Sequence, residues 1–331
     1  MTLLKASILV LLASCLLACE PWGSMQQPTL TYQYSKRPLV DAVLSADGAQ
    51  ALSLSIDGVL SLWDNQSHSL IREWRDFDIN ETVYYAALSR NKQWAAVAGI
   101  NYVSFLNVSK GEDLLNWQPR GLDNGVTITV LTLGLSNKDV WLGLSDGSII
   151  HIDLPNKQQS MFTHHKGPIA DIKISDNQQT ILSSSTDGSV VYWEAKTGLT
   201  LNEREQNYRI TSLALHQKSS KVFLSDALKS QIVWDLQDPT ISRKISYISP
   251  ARTFQESLFV DDGRKLITAS PGHSITLWDV KSGKELNQWQ VGSHSSTSTV
   301  LAMANGHYTV LHTLSSDGVL AVWDIDIHSI E

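Results

Sequence analysis

Short runs in which apolar residues alternate with small or polar ones, each introduced by a turn-forming pair, recur from one end of the chain to the other. Asp57-Gly58-Val59-Leu60-Ser61-Leu62-Trp63-Asp64 near the start returns almost word for word as Asp317-Gly318-Val319-Leu320-Ala321-Val322-Trp323-Asp324 near the end. Asp-Gly supplies a tight hairpin turn, the alternation that follows predicts a strand, and Trp-Asp closes the unit. The corresponding closing residues are Asp64, Asn107, Asp153, Glu194, Asp235, Asp279 and Asp324, spaced 41 to 46 residues apart. These strands are expected to be the inner strands of seven sheet units. Thr29-Leu30-Thr31-Tyr32-Gln33-Tyr34 also has strand character, although no complete unit precedes it.

A period near 43 residues with short strands and a Trp-Asp ending resembles the WD-repeat propellers. The resemblance covers residues 29–331 and implies an all-β, seven-bladed propeller of four-stranded blades. In that family the N-terminal strand completes the last blade, so Thr29 to Tyr34 is expected to pair beside Val319 to Trp323 and remove the free sheet edge. The fourth repeat carries the clearest match, with His165, Asp171, Ser183 and Trp193 at the places of the family's hydrogen-bonded tetrad. Partial sets stand at Asp41, Ser53 and Trp63, with Ser35 at the histidine place; at Glu256, Thr268 and Trp278; and at His294, Thr313 and Trp323, with Val300 at the aspartate place. A buried indole and imidazole need partners, which the hydroxyl and carboxylate would supply. Because these positions recur with the blade period, a structural tetrad accounts for them better than a catalytic Ser-His-Asp triad. Repeats 2, 3 and 5 have mostly lost the set and must rely on apolar packing.

The first residues follow another pattern. Lys5 precedes the apolar run Ala6 to Ala13, and Leu16-Leu17-Ala18-Cys19 follows. The run predicts an export signal, too short for a comfortable membrane span. Its ending resembles the bacterial lipobox, which implies cleavage after residue 18 and acylation of Cys19; the alternative is an ordinary secretory signal with an incidental cysteine. The other cysteine, Cys15, lies in the segment that would be removed, so the mature chain would hold no internal disulfide. Several acyl chains would anchor the protein firmly where one would not. Glu20, in place of the aspartate that favours inner-membrane retention in such lipoproteins, points to the outer membrane facing the periplasm. The expected organisation is a signal peptide over 1–18, an acylated tether over 19–28 and the propeller over 29–331.

Composition narrows the functional classes. With 42% apolar and 18% charged residues and 11 Trp, the chain is globular. A net charge of −7 argues against nucleic acid as a partner. No phosphate-loop motif and no zinc-type Cys/His spacing is present, and His164-His165 alone does not make a metal site. No catalytic residue, metal or cofactor is assigned. Aligning the strand starts near Val40, Tyr84, Thr129, Ala170, Thr211, Gln255 and Thr299 yields no converging acidic set, which argues against a propeller enzyme holding a metal or quinone over its channel. The favoured expectation is a non-enzymatic scaffold that binds a protein or peptide partner on one face, with Arg37, Tyr84, Tyr85, Arg209, Thr211 and Gln255 on or beside the loops leading into the inner strands. Trp117 reads as an outer-strand residue or a partner anchor.

Overall fold

A computed structural model describes residues 27–325 except 76, 78–80, 112, 123–124, 137–138, 229, 246–252, 272–273, 291–297 and 307–308. Seven four-stranded antiparallel sheets follow one another along the chain as the blades of a closed propeller. In blade 4 the strands are Ile169–Ile174, Thr180–Ser185, Ser189–Glu194 and Thr200–Glu205, paired in chain order. The other blades repeat this arrangement. Their first strands are Leu39–Leu44, Tyr85–Leu88, Ile128–Leu133, Ile210–His216, Glu256–Val260 and Val300–Asn305, and each touches the first strands on either side of it, closing a ring around a central channel.

The seventh blade is built from both ends of the chain. Its outermost strand is Leu30–Gln33, which pairs antiparallel with Val319–Asp324 in the register Leu30 to Val322 and Gln33 to Val319. Tyr34 then stacks on Trp63 of blade 1, with ring centroids 4.5 Å apart, and donates its hydroxyl to Asn65 at 2.9 Å. The closing strand therefore bonds to blade 7 and packs on blade 1. The Trp-Asp strands are the third strands of their blades, counted from the channel, and not the inner ones as the alternation alone had suggested.

The hydrophobic core is divided into seams between adjacent blades. Leu182, Val190, Leu213, Val222, Leu224 and Trp234 fill the seam of blades 4 and 5, and comparable clusters lie in the others. A middle strand has a neighbouring blade on both faces, so it reads as a continuous buried run in place of a half-buried alternation. Ala95 to Ala98 and Ile181 to Ser185 are both of this kind. Fourth strands such as Thr200–Glu205 alternate and face solvent.

Candidate functional site

The blade 4 network starts at Trp193, whose indole N–H donates to Ser183 Oγ at 3.1 Å. His165 Nε2 lies 2.7 Å from the same hydroxyl, and its Nδ1 lies 2.5 Å from Ser189 Oγ. Ser189 passes the chain to Asp187, whose carboxylate accepts from Ser189 Oγ at 2.5 Å and from the Lys166 backbone N–H at 2.7 Å. Asp187, in the Asp187-Gly188 turn, is thus the acid of this network. Asp171 is elsewhere, paired with Lys173 at 2.9 Å. Burial depresses the His165 pKa to about 4, with Asp187 opposing the shift and His164 adding to it.

Indole-to-hydroxyl pairs ten residues apart recur at Trp63 and Ser53 (3.0 Å), Trp278 and Thr268 (2.8 Å), and Trp323 and Thr313 (3.1 Å). Neither Asp41 nor Glu256 reaches its blade's tryptophan. Ser35 bonds Arg37 instead, and His294 lies outside the described residues. In blade 5 the hydroxyl position is Leu224, and the buried Trp234 Nε1 has no hydrogen-bond partner among the described residues. Asp64, Asp235 and Asp279 of the Trp-Asp pairs cap the turns into their fourth strands by accepting backbone N–H groups, for example Ser67 N at 2.7 Å and Ser282 N at 2.6 Å.

The acids assigned to tetrads by the repeat template instead share a layer at the channel. Asp41, Asp171 and Glu256 pair with Leu54, Ser184 and Ala269, each the residue after the hydroxyl position, so they hold one register in blades 1, 4 and 6. All three line a channel cavity of about 500 Å³ together with Lys173. A converging acidic set therefore exists, one residue further along the strands than the starts chosen from sequence, and this corrects that expectation. The Asp41 carboxylate accepts from Ala42 N and, across the blade boundary, Ala86 N, both at 2.8 Å. Burial raises its pKa to about 7 against these two bonds. Burial likewise raises Glu256 to about 8, opposed by Lys173 and reinforced by Asp171 and Asp41. Among the described residues, no three His, Cys, Asp or Glu are grouped to hold a metal ion.

The six residues proposed for a binding face divide into two groups. Arg37, Tyr84, Arg209 and Gln255 are exposed where the chain enters the first strands of blades 1, 2, 5 and 6. Arg37 comes within 3.9 Å of Asp57. Tyr85 turns into the channel near Asp41, and burial followed by that carboxylate raises its phenol pKa. Thr211 donates to the Ser225 carbonyl at 3.2 Å. Loops before first strands and turns between second and third strands share this front face. Sequence reasoning missed its apolar tips: Ile56 is 61% exposed, Leu228 51%, Tyr208 41% and Ile100 39%, beside Tyr84 at 43%. The available signal was Ile56 standing where the matching turns carry Thr186 and Ser316. Trp117 ends the outermost strand of blade 2, Asp113–Trp117, and packs partly buried on the seam with blade 3.

Comparison with known proteins agrees with this architecture. Residues 156–194 match the family described as WD domain, G-beta repeat. The chain is 26% identical over 201 residues to pre-mRNA-processing factor 19 homolog 2 of Arabidopsis thaliana, covering 58% of this chain and 37% of that protein. It is 22% identical over 171 residues to human cilia- and flagella-associated protein 52, covering 50% of this chain and 26% of that protein. The matched part therefore spans well under half of these relatives. Among solved structures, a chain in the crystal structure of the mitotic checkpoint complex superposes with a TM-score of 0.75 at 14% identity, covering 93% of this chain and 95% of that one. That likeness is one of fold.

Proposed function

We propose that this protein is a non-enzymatic recognition module, held by acyl chains on Cys19 in the bacterial envelope at the periplasmic side of the outer membrane, which binds a protein or peptide partner on its front face. The observation that carries the recognition reading is the set of exposed apolar side chains at front-face loop tips, Ile56, Tyr84, Ile100, Tyr208 and Leu228. Turn tips have no packing reason to be apolar, and aromatic and aliphatic side chains on a rigid rim are suited to anchor a partner. The similarity to WD-repeat relatives supports a scaffold role. The anchor rests on the Leu16-Leu17-Ala18-Cys19 sequence, and Cys19 and the rest of residues 1–26 lie outside the described residues.

Affinity capture from detergent-solubilised envelopes tests both parts. The wild-type chain should retain a stoichiometric partner, and the double variant Ile56→Asp, Tyr84→Asp should lose it while keeping the wild-type melting profile. A partner held equally by both chains would move recognition away from this sector. Cys19→Ser should shift the protein from the membrane to the soluble periplasmic fraction, and continued membrane retention would count against the anchor. Stoichiometric metal or quinone in the purified protein would favour the enzymatic alternative.

A further inference from the structure

The channel holds more negative than positive charge at one level. Asp41, Asp171 and Glu256 project from the first strands of blades 1, 4 and 6, and Lys173 is the cation among them, committed to Asp171 at 2.9 Å. Arg90 also lines the cavity but pairs with Asp176. Burial would lower the Lys173 pKa, but Asp171 and Glu256 outweigh it and hold the ammonium above its usual value. Tyr85 contributes a neutral phenol, while Thr129, Ser212 and Met303 face the same space from the remaining first strands or their neighbouring cavity without charge.

A second observation comes from the adjoining strand. Ser184 is fully buried and, among the described residues, its hydroxyl has no hydrogen-bond partner. It borders a side cavity of about 190 Å³ walled by blades 4, 5 and 6, shared with Asp171, Lys173, Thr211, Gln255 and Glu256. At the same register, blades 1, 2, 3, 6 and 7 carry Leu54, Val97, Gly143, Ala269 and Leu314, all without polar side chains. Blade 5 carries Ser225, which is hydrogen-bonded to Thr211. A buried hydroxyl left unpaired is unfavourable, and nothing in the packing of blade 4 calls for one.

We propose that this part of the channel is a binding site for an organic cation, a primary ammonium or guanidinium group, which takes its charge partners from Glu256, Asp41 and Asp171 and a hydrogen-bond acceptor from Ser184. The carboxylates are too dispersed to chelate a metal ion, since they form no metal-holding group among the described residues. An ammonium or guanidinium presents several donors spread over a larger volume and fits the arrangement better. The ligand group could arrive on a free amine or on a basic side chain of a peptide entering from the front face. The site depends on neither the lipid anchor nor the recognition surface proposed above, because it uses only the channel walls.

Calorimetric titration of the purified full-length chain in detergent tests this with two probes: agmatine, and a capped pentapeptide with one central arginine, each set against a neutral analogue. At pH 8.5 at least one cationic probe should bind saturably, and its neutral analogue should not. Agmatine binding would identify a free amine as a competent source, and binding of the peptide alone would identify a side chain. Affinity should fall about tenfold or more by pH 6, because Asp41 and Glu256 take up protons over that range and the charge that attracts the cation is lost. Glu256→Gln should weaken binding by about tenfold or more and Ser184→Ala by a few-fold, each variant keeping a cooperative melting transition. If Glu256→Gln does not fold, Asp171→Asn and the wild-type pH series give the same reading. Failure of both cations to saturate below about 10 mM, or binding indifferent to pH, would overturn the proposal.

Discussion

At the scale of single residues, the tryptophans show what a hydrogen bond adds to a side chain that is buried in either case. Trp193 and Trp234 are both almost wholly enclosed, but the first donates to Ser183 and the second has no acceptor among the described residues. Replacing Trp193 by Phe removes a satisfied donor and leaves the Ser183 hydroxyl with His165 alone. Replacing Trp234 by Phe removes a donor that was already unpaired. Both lose volume, so the difference isolates the bond: Trp193→Phe should destabilise the protein by about 1 kcal/mol more than Trp234→Phe in urea unfolding. The histidine of the same network couples it to pH. His165 binds its proton less readily folded, near pH 4, than unfolded, near 6.5. The unfolded chain therefore takes up the extra proton in that interval, and the stability present above pH 6.5 is lost as pH falls towards 4, by at most about 3 kcal/mol. His165→Asn should flatten the acid limb of the stability profile, and an unchanged limb would remove His165 from its causes.

At the scale of elements, the turns between second and third strands separate a backbone requirement from a packing requirement. Gly58 and Gly318 occupy the same turn in blades 1 and 7 with φ of +77° and +78°. A Cβ at Gly318 would stand 2.3 Å from the Ser35 carbonyl oxygen of the segment that follows the closing strand, while a Cβ at Gly58 would meet nothing within 4 Å. Gly58→Ala should cost about 1 kcal/mol, the penalty of the left-handed conformation alone. Gly318→Ala adds a backbone clash at the ring seam and should cost about 2–4 kcal/mol, with amide exchange accelerating first in Leu30–Gln33. Equal costs at the two sites would show that the seam does not depend on this contact.

At the scale of the whole molecule, the ring brings together groups that no single blade contains. Asp41 and Glu256 titrate near 7 and 8 in the folded protein and near 4 when unfolded. A carboxyl whose pKa is raised by folding makes the folded state the better proton binder, so its contribution declines as pH rises between the two values. From pH 6.5 to 9, where His165 is neutral when folded and sheds only its last half-proton when unfolded, stability should fall by about 1–2 kcal/mol, a figure reduced for the partial exposure of both groups to the channel. Glu256→Gln should remove about two-thirds of that fall, as read from urea midpoints at pH 6.5, 7.5 and 9.

The number of blades, their order, the closing role of Thr29 to Tyr34 and the pairing of Trp63, Trp193, Trp278 and Trp323 with a hydroxyl ten residues earlier were legible in the sequence. They are properties of hairpins and of a repeat, in which partners sit a short and constant distance apart along the chain. The positions of Asp41, Asp171 and Glu256 were legible as a periodic set, but their destination was not. The repeat template set the tetrad acid on the first strand, whereas blade 4 takes it from Asp187 in the turn between its second and third strands; and because successive residues of a strand point to opposite faces, strand starts read one residue short at Val40, Ala170 and Gln255 passed over the acids that face the channel. The repeat likewise could not distinguish the third strand of a blade from the first, since both are short and apolar. Those assignments were decided by tertiary structure, because a channel wall is made by first strands of different blades, and only ring closure sets carboxyl groups from blades 1, 4 and 6 against one another and opens the space beside Ser184.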